Sequence, residues 1–171
     1  MSVRVGERRD GKIKLFNTLR ILINHTLVLT ANRKTFPLER MALTNRIVGE
    51  ALDVEGCIKR SSSHPIENSA DYQYCLQQLK ESYAHLECLL KYMENAYDDK
   101  VIKIDGKRIE YWTGLVIDVE TDLEVYTKEF VKNHKPFLND QFNNQNDKIS
   151  YLSTNVKGND YSGSELVVAY S

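Results

Sequence analysis

Apolar residues recur at steps of three and four along residues 14–132, the spacing that lines one face of an α-helix. Short polar stretches interrupt this pattern three times, so it predicts four amphipathic helices. The first is predicted from Lys14 to Asn32. Its apolar positions form a broad stripe made of Leu15, Phe16, Leu19, Leu22, Ile23, Leu27 and Leu29.

The second helix is predicted to begin at Pro37, because proline is favoured in the first helical turn, and to end near Arg60. Its apolar stripe consists of Leu43, Ile47, Ala51, Val54 and Ile58. The opposite face mixes charge with glycine and carries Arg46, Gly49, Glu50, Asp53, Gly56 and Arg60. Glycine costs a helix roughly 1 kcal/mol relative to alanine, so these glycines suggest close approach of another backbone. A solvated face that tolerates two glycines is the alternative.

The third and fourth helices have the most regular periodicity. The third is predicted to be capped by Asn68 or Ser69 and to end at Asp98. Its heptad seam is Tyr72, Leu76, Leu79, Tyr83, Leu86, Leu90, Met93 and Tyr97. The fourth follows a turn at Asp105 and Gly106 and has the stripe Ile109, Trp112, Val116, Val119, Leu123, Tyr126 and Phe130. Its outer face is predicted to be acidic and solvated through Glu110, Asp118, Glu120, Asp122, Glu124 and Glu129.

Four such helices with short links predict an all-α fold, an up-down-up-down antiparallel four-helix bundle over residues 15–135. Residues 1–14 are predicted to form a basic N-terminal arm. Residues 136–171 are rich in Asn, Gln, Ser and Gly and predict a polar, flexible C-terminal tail, with an apolar segment at 166–170 as a possible strand.

Length and composition narrow the class of protein. A chain of 171 residues with 42% hydrophobic content is long enough for one domain with a real core. No run of 18 apolar residues predicts a membrane span, and the charged N-terminus shows no secretory signal. The three cysteines at 57, 75 and 88 are unevenly spaced, which favours reduced thiols and a cytoplasmic protein.

Charge is distributed unevenly along the chain. Residues 1–60 hold twelve Lys or Arg and six Asp or Glu, a net charge of +6. Residues 61–171 hold eleven and eighteen, a net charge of −7, and the two parts sum to the overall −1. Such asymmetry is typical of a surface that faces a polyanion, although antiparallel helices can also mix the two halves in space.

Catalytic and metal-binding patterns are largely missing. A di-iron bundle needs Glu followed three residues later by His on two helices, but Ser82 precedes His85 and Val131 precedes His134 at that distance. Glu81 with His85, and His85 with Cys88, could each supply two ligands from one helix, yet zinc needs about four and no second pair exists. No nucleotide-binding glycine loop or nucleophile elbow occurs. The sequence therefore predicts a protein that is not an enzyme and has no cofactor or metal.

A binding role needs a surface, and the basic side chains offer one. The candidate nucleic-acid-binding residues are Arg33, Lys34, Arg40, Arg46, Lys59, Arg60, Lys107 and Arg108. Lys107 and Arg108 begin the fourth helix, where cations are unfavourable unless an anion is near. If the first and third links lie at one end of the bundle, both residues approach Arg33 and Lys34. A scattered, solubilising surface is the alternative.

The second helix resembles that of a family of small bacterial four-helix-bundle proteins. The resemblance lies in Phe-Pro-x-Glu-Arg-x-x-Leu followed by Arg-Ile-x-x-x-Ala-Leu-Asp. The matching residues are Phe36, Pro37, Glu39, Arg40, Leu43, Arg46, Ile47, Ala51, Leu52 and Asp53. The family includes proteins encoded in intervening sequences of ribosomal RNA genes and the accessory variability determinant (Avd) proteins of diversity-generating retroelements. Residues 56–60 depart from the intervening-sequence branch, which has Asn-Ile-Ala-Glu-Gly there.

The resemblance covers about residues 15–132 and implies a function. Avd proteins are pentameric, bind nucleic acid through a basic surface and partner a reverse transcriptase. By this resemblance we expect a homo-oligomer, a pentamer, that binds RNA or DNA as a reverse transcriptase accessory protein. A purely structural or protein-interaction bundle is the alternative, with the second-helix glycine surface (Gly49, Asp53 and Gly56) as its contact; the same surface is the candidate oligomer interface.

Overall fold

A computed structural model describes residues 5–135 and 137, with side chains from residue 11 onward. Four α-helices account for most of this region, and it contains no strand. They are α1 (Val5–Ala31), α2 (Met41–Ser63), α3 (Ser69–Asp98) and α4 (Gly106–Asn133). A 3-10 turn at Leu38–Arg40 leads into α2. The all-α four-helix bundle predicted from the hydrophobic period is thereby confirmed.

Two helix starts are fixed by capping side chains, Asn68, one of the two predicted caps of α3, and Asp105, which was predicted only as a turn residue. Asn68 accepts a hydrogen bond from the backbone N–H of Asp71 at 3.0 Å and caps α3. Asp105 accepts one from the N–H of Arg108 at 2.9 Å and caps α4. These bonds satisfy backbone donors that a helix leaves unpaired at its beginning.

The first helix begins earlier than the apolar pattern predicts. It starts at Val5, so residues 5–14, which the pattern placed in a basic arm, are part of α1. Two tertiary contacts involve residues 11 and 12 of this added part. A Cβ at Gly11 would lie 2.9 Å from Glu129 Oε2 of α4, and Lys12 Nζ donates a hydrogen bond to the carbonyl of Ser62 at 3.3 Å. Contacts of this kind can extend a helix beyond its apolar stripe.

Side-chain pairs show that α1 runs antiparallel to α4 and that α2 runs antiparallel to α3. Between α1 and α4, Thr18 bonds Asp122 and Thr26 bonds Trp112, so residue numbers increase along one helix as they decrease along the other. Along α2 and α3, Arg40 pairs with Asp99 and Arg60 with Gln78, again in opposite senses. Helix α2 also packs on α1, and α3 packs on α4.

The buried seam of α3 is rotated from its predicted position. Tyr72, Leu79, Leu86 and Met93 are buried as predicted. The alternate positions, however, are filled by residues one place earlier than predicted, namely Cys75, Ser82, Leu89 and Ala96. Leu76, Tyr83 and Leu90 are half-buried, and Tyr97 is 49% exposed. Three of the four inward residues are small, which allows α2, the helix most extensively in contact with α3, to pack closely.

The outer face of α4 also differs from prediction at one carboxylate. Asp122 is only 5% exposed, so it is not part of the solvated acidic face. Its Oδ1 pairs with Lys14 Nζ at 2.7 Å and its Oδ2 accepts a hydrogen bond from Thr18 Oγ1 at 3.0 Å. Asp122 therefore joins α4 to α1, because a buried carboxylate is retained only where it is paired.

The predicted C-terminal tail, 136–171, and its possible strand at 166–170 lie outside the described residues, except for residue 137. The same holds for residues 1–4. Among the described helices, none combines the length and apolar character that crossing a bilayer demands.

Acid should destabilise the bundle because it protonates two hydrogen-bonded carboxylates, Asp71 and Asp99. The hydrogen bond from His64 holds the pKa of Asp71 below its ordinary value, and the bond from the Val101 N–H, followed by Arg40, does the same for Asp99. A carboxylate with a lowered pKa in the folded state contributes stability above its unfolded pKa and loses it as pH falls through the folded value. We therefore expect the urea concentration at the unfolding midpoint to decrease as the pH is lowered below about 4.

Asp99→Asn should remove part of that acid dependence. Its urea midpoint should be lower than that of wild type at pH 7, and the two midpoints should converge at pH 2.5. Asp98→Asn is the matched control, because this exposed neighbour has no side-chain hydrogen bond or salt bridge in the described region. Parallel acid profiles for wild type and Asp99→Asn would contradict the expectation.

Candidate nucleic-acid interface

The connection between α1 and α2 exposes two cations at its tip. Asn32 organises it: its carbonyl accepts from the N–H groups of Thr35 and Phe36, and its side chain accepts from the N–H of Lys34 at 3.0 Å. Arg33 and Lys34 are exposed and form no side-chain hydrogen bond or salt bridge with any other described residue. The turn therefore presents two unpaired positive charges to solvent.

The start of α4 lies at the same end of the bundle. The N–H of Lys103, in the connection from α3, donates to the carbonyl of Thr35 at 3.0 Å, which places the two connections side by side. Lys107 is exposed and unpaired among the described residues, whereas Arg108 Nε lies 3.3 Å from Asp105 Oδ2. We call the five residues of these connections the basic end cluster: Arg33, Lys34, Lys103, Lys107 and Arg108.

Sequence reasoning missed Lys103. It lies four residues before Lys107, within the predicted link, so the sequence contained the signal. Only the backbone hydrogen bond to Thr35 shows that Lys103 lies beside the connection between α1 and α2. An exposed aromatic ring is also near, because the hydroxyl of Tyr97 would lie 3.7 Å from a Cβ at Gly106.

Buried aromatic packing supports the basic end cluster from inside. Phe36 is fully buried and meets the ring of Trp112 edge-on, with centroids 6.2 Å apart. Trp112 is also fully buried, and its Nε1–H donates to Thr26 Oγ1 at 2.9 Å. The exposed cations thus follow a backbone in which α1, α4 and the first connection are packed together through buried rings.

Three other predicted residues are occupied by contacts within the chain. Arg40 Nε pairs with Asp99 Oδ2 at 2.6 Å, and Lys59 Nζ pairs with Glu55 Oε1 at 2.7 Å. Arg60 donates to Gln78 Oε1 and, at 3.1 Å, to Cys57 Sγ. These contacts neutralise or orient the side chains, which makes them weaker candidates for phosphate contact.

The eight predicted cations do not form one patch. Arg40 lies near the basic end cluster through Asp99, but Lys59 and Arg60 lie near the opposite end of α2, roughly 30 Å away at about 1.5 Å per residue. Arg46 is exposed between the two ends. Phosphates spaced along a nucleic-acid backbone could meet the basic end cluster alone or continue along α2 through Arg46.

None of the described helices covers the second-helix glycine surface at Gly49. A Cβ at Gly49 would meet nothing within 4 Å, and one at Gly56 would meet only the Arg60 guanidinium, at 3.1 Å for the nearest atom. Asp53 is exposed. Among the described residues, no other helix makes the close backbone approach that the two glycines suggested.

One group of possible metal ligands escaped sequence reasoning. Ligand atoms of Glu50, Asp53 and His85 all lie within 4.8 Å of one another. The sequence search paired His85 only with residues of its own helix, α3, whereas Glu50 and Asp53 belong to α2.

Comparison of the chain with protein-family models, with curated proteins and with solved structures found no match. The resemblance to the intervening-sequence and Avd proteins therefore stays a prediction.

Proposed function

We propose that the chain is a cytoplasmic, non-enzymatic accessory protein that oligomerises and binds RNA or DNA. By its resemblance to Avd proteins, its proposed partner is a reverse transcriptase of a diversity-generating retroelement. The basic end cluster makes the nucleic-acid contact, and the second-helix glycine surface makes the contact between copies.

The observation that carries this proposal is the convergence of two chain connections at one end of the bundle. The Thr35–Lys103 backbone bond brings together Arg33, Lys34 and Lys107, three exposed cations without a salt bridge to any described residue. Unpaired Lys and Arg are the groups that neutralise phosphates and release counterions. Arg33 and Lys34 also have no acidic residue next to them in the sequence.

Binding to nucleic acid should weaken steeply with salt and depend little on base sequence. The measurement is fluorescence anisotropy of labelled single-stranded RNA and duplex DNA between 50 and 300 mM KCl. Three to five phosphate contacts give a slope of log K against log salt of about −2 to −4. Absence of binding at low salt, or a slope near zero, would overturn the proposal.

A protein-interaction bundle without nucleic-acid binding is the second candidate. The open glycine surface favours it, because a Cβ at Gly49 would meet no described residue within 4 Å, which leaves room for a partner helix. Gly49→Leu should then reduce self-association or partner binding in light scattering and pull-down assays. If it does so while nucleic-acid binding is absent in wild type, the second candidate is favoured.

A further inference from the structure

Two helices direct a mixed set of nitrogen and oxygen donors toward one point near the middle of the α2–α3 seam. Glu50 and Asp53 are three residues apart on α2, which places them on one face. His85 of α3 donates from Nδ1 to Glu50 Oε2 at 2.7 Å. The donor atoms of all three residues lie within 4.8 Å of one another.

The two carboxylates lack a permanent counter-charge. In the described region neither Glu50 nor Asp53 forms a salt bridge with a lysine or arginine, and the only charged or protonatable partner of Glu50 is His85. Glu50 is also largely withdrawn from water, since its side chain is 15% exposed. Two negative charges held together in this way, one of them mostly desolvated, attract a cation.

We infer that Glu50, Asp53 and His85 form a binding site for a divalent transition-metal ion of the zinc type. One imidazole and two carboxylates match the donors that zinc accepts, whereas magnesium and calcium take oxygen ligands. Two ligands at about 2.0–2.2 Å from a tetrahedral ion are about 3.4 Å apart. His85 Nδ1 and Glu50 Oε2 already lie 2.7 Å apart, and the exposed carboxylate of Asp53, within 4.8 Å of both, has to move closer to complete the set.

The ion takes the place of the proton through which His85 Nδ1 bonds Glu50, and the neutral imidazole then carries its proton on Nε2. Three protein ligands leave a fourth position for water or for a ligand from another molecule. The site bridges α2 and α3 and borders the second-helix glycine surface through Asp53. This inference is independent of nucleic-acid binding, which involves the basic end cluster.

The test is isothermal titration of zinc chloride into the untagged full-length chain carrying Cys88→Ser, so that the exposed thiol does not compete. We expect one zinc ion per chain, no comparable heat from magnesium chloride, and a rise in the thermal midpoint with zinc. His85→Gln and Asp53→Asn should each weaken binding at least about tenfold, no less than the loss of an outer-shell partner does. Asp53→Asn is the sharper variant, because Asp53 is exposed and has no side-chain hydrogen bond in the described region.

His64→Gln is the matched control. His64 also bonds a carboxylate, Asp71, at 3.0 Å, but it has no third ligand beside it among the described residues. Zinc affinity should be unchanged in this variant. Lack of zinc binding at about 100 µM, corresponding to a very weak site, unchanged binding in Asp53→Asn and His85→Gln, or equal loss in His64→Gln would each overturn the inference.

Discussion

The triple variant Arg33→Glu, Lys34→Glu and Lys107→Glu should lose nucleic-acid binding by about 100-fold at 0.1 M salt. Each phosphate contact contributes about 0.7–0.9 to the salt slope, so losing three contacts should lower the slope by about two. All three side chains are exposed and form no side-chain hydrogen bond or salt bridge within the described region. The fold should therefore tolerate the change, and the loss should appear in anisotropy titrations without a change in the urea midpoint.

The control reverses three cations elsewhere on the bundle: Arg20→Glu, Lys80→Glu and Lys132→Glu. These residues are also exposed and without salt bridges among the described residues, so the overall charge changes by the same amount. If affinity depends on net charge alone, both triple variants weaken binding equally, and the basic end cluster is not the site. Arg40 and Arg60 are unsuitable for this purpose, because their reversal would break the contacts with Asp99 and Gln78.

Trp112→Ala should cause the largest loss of stability, about 3–5 kcal/mol. The indole is fully buried, meets Phe36 edge-on and donates to Thr26 Oγ1 at 2.9 Å. Truncation leaves a cavity and removes the hydrogen-bond partner of the fully buried Thr26 hydroxyl. Because domains of this size are stable by about 5–15 kcal/mol, the variant should be close to unfolding at 37 °C. Urea denaturation followed by circular dichroism measures the effect.

Two substitutions separate volume from hydrogen bonding at this position. Trp112→Phe keeps most of the ring and should cost about 1–2 kcal/mol, chiefly for the lost N–H donor. Tyr111→Ala changes an adjacent ring that is 56% exposed and should cost no more than about 1 kcal/mol. Equal losses in Tyr111→Ala and Trp112→Ala would contradict the assignment of Trp112 to the centre of the core.

The fold was predictable to the extent that it depends on local patterns. Helix α4 is buried at Trp112, Val116, Val119, Leu123 and Phe130, as its period predicts, because apolar side chains at steps of three and four share a face in any helix. The cap at Asn68 was also visible, since a cap involves only residues three positions apart. Asp105 was predicted as part of a turn, and the structure shows that it also caps α4.

The candidate sites were less predictable, because they depend on contacts between distant parts of the chain. From the sequence, Lys107 and Arg108 could be placed near Arg33 and Lys34 only on the assumption that the first and third links lie at one end of the bundle. Lys103 joins them through a bond with Thr35, 68 residues earlier in the chain. The ligand set of Glu50, Asp53 and His85 spans 35 residues and two helices, so no spacing rule could reveal it.

By itself the sequence determined that the chain forms four helices, where α3 and α4 begin, and which broad face of each helix is apolar. Periodicity and capping are sufficient for that, because they act within one helical turn. Only the tertiary structure decided which neighbours each face meets. It chose Cys75, Ser82 and Ala96 over Leu76, Tyr83 and Tyr97 as the inward side of α3. It also buried Asp122 beside Lys14 and left Arg33, Lys34 and Lys107 without a salt bridge to any described residue. Close packing and charge pairing depend on the partner helix rather than on local sequence.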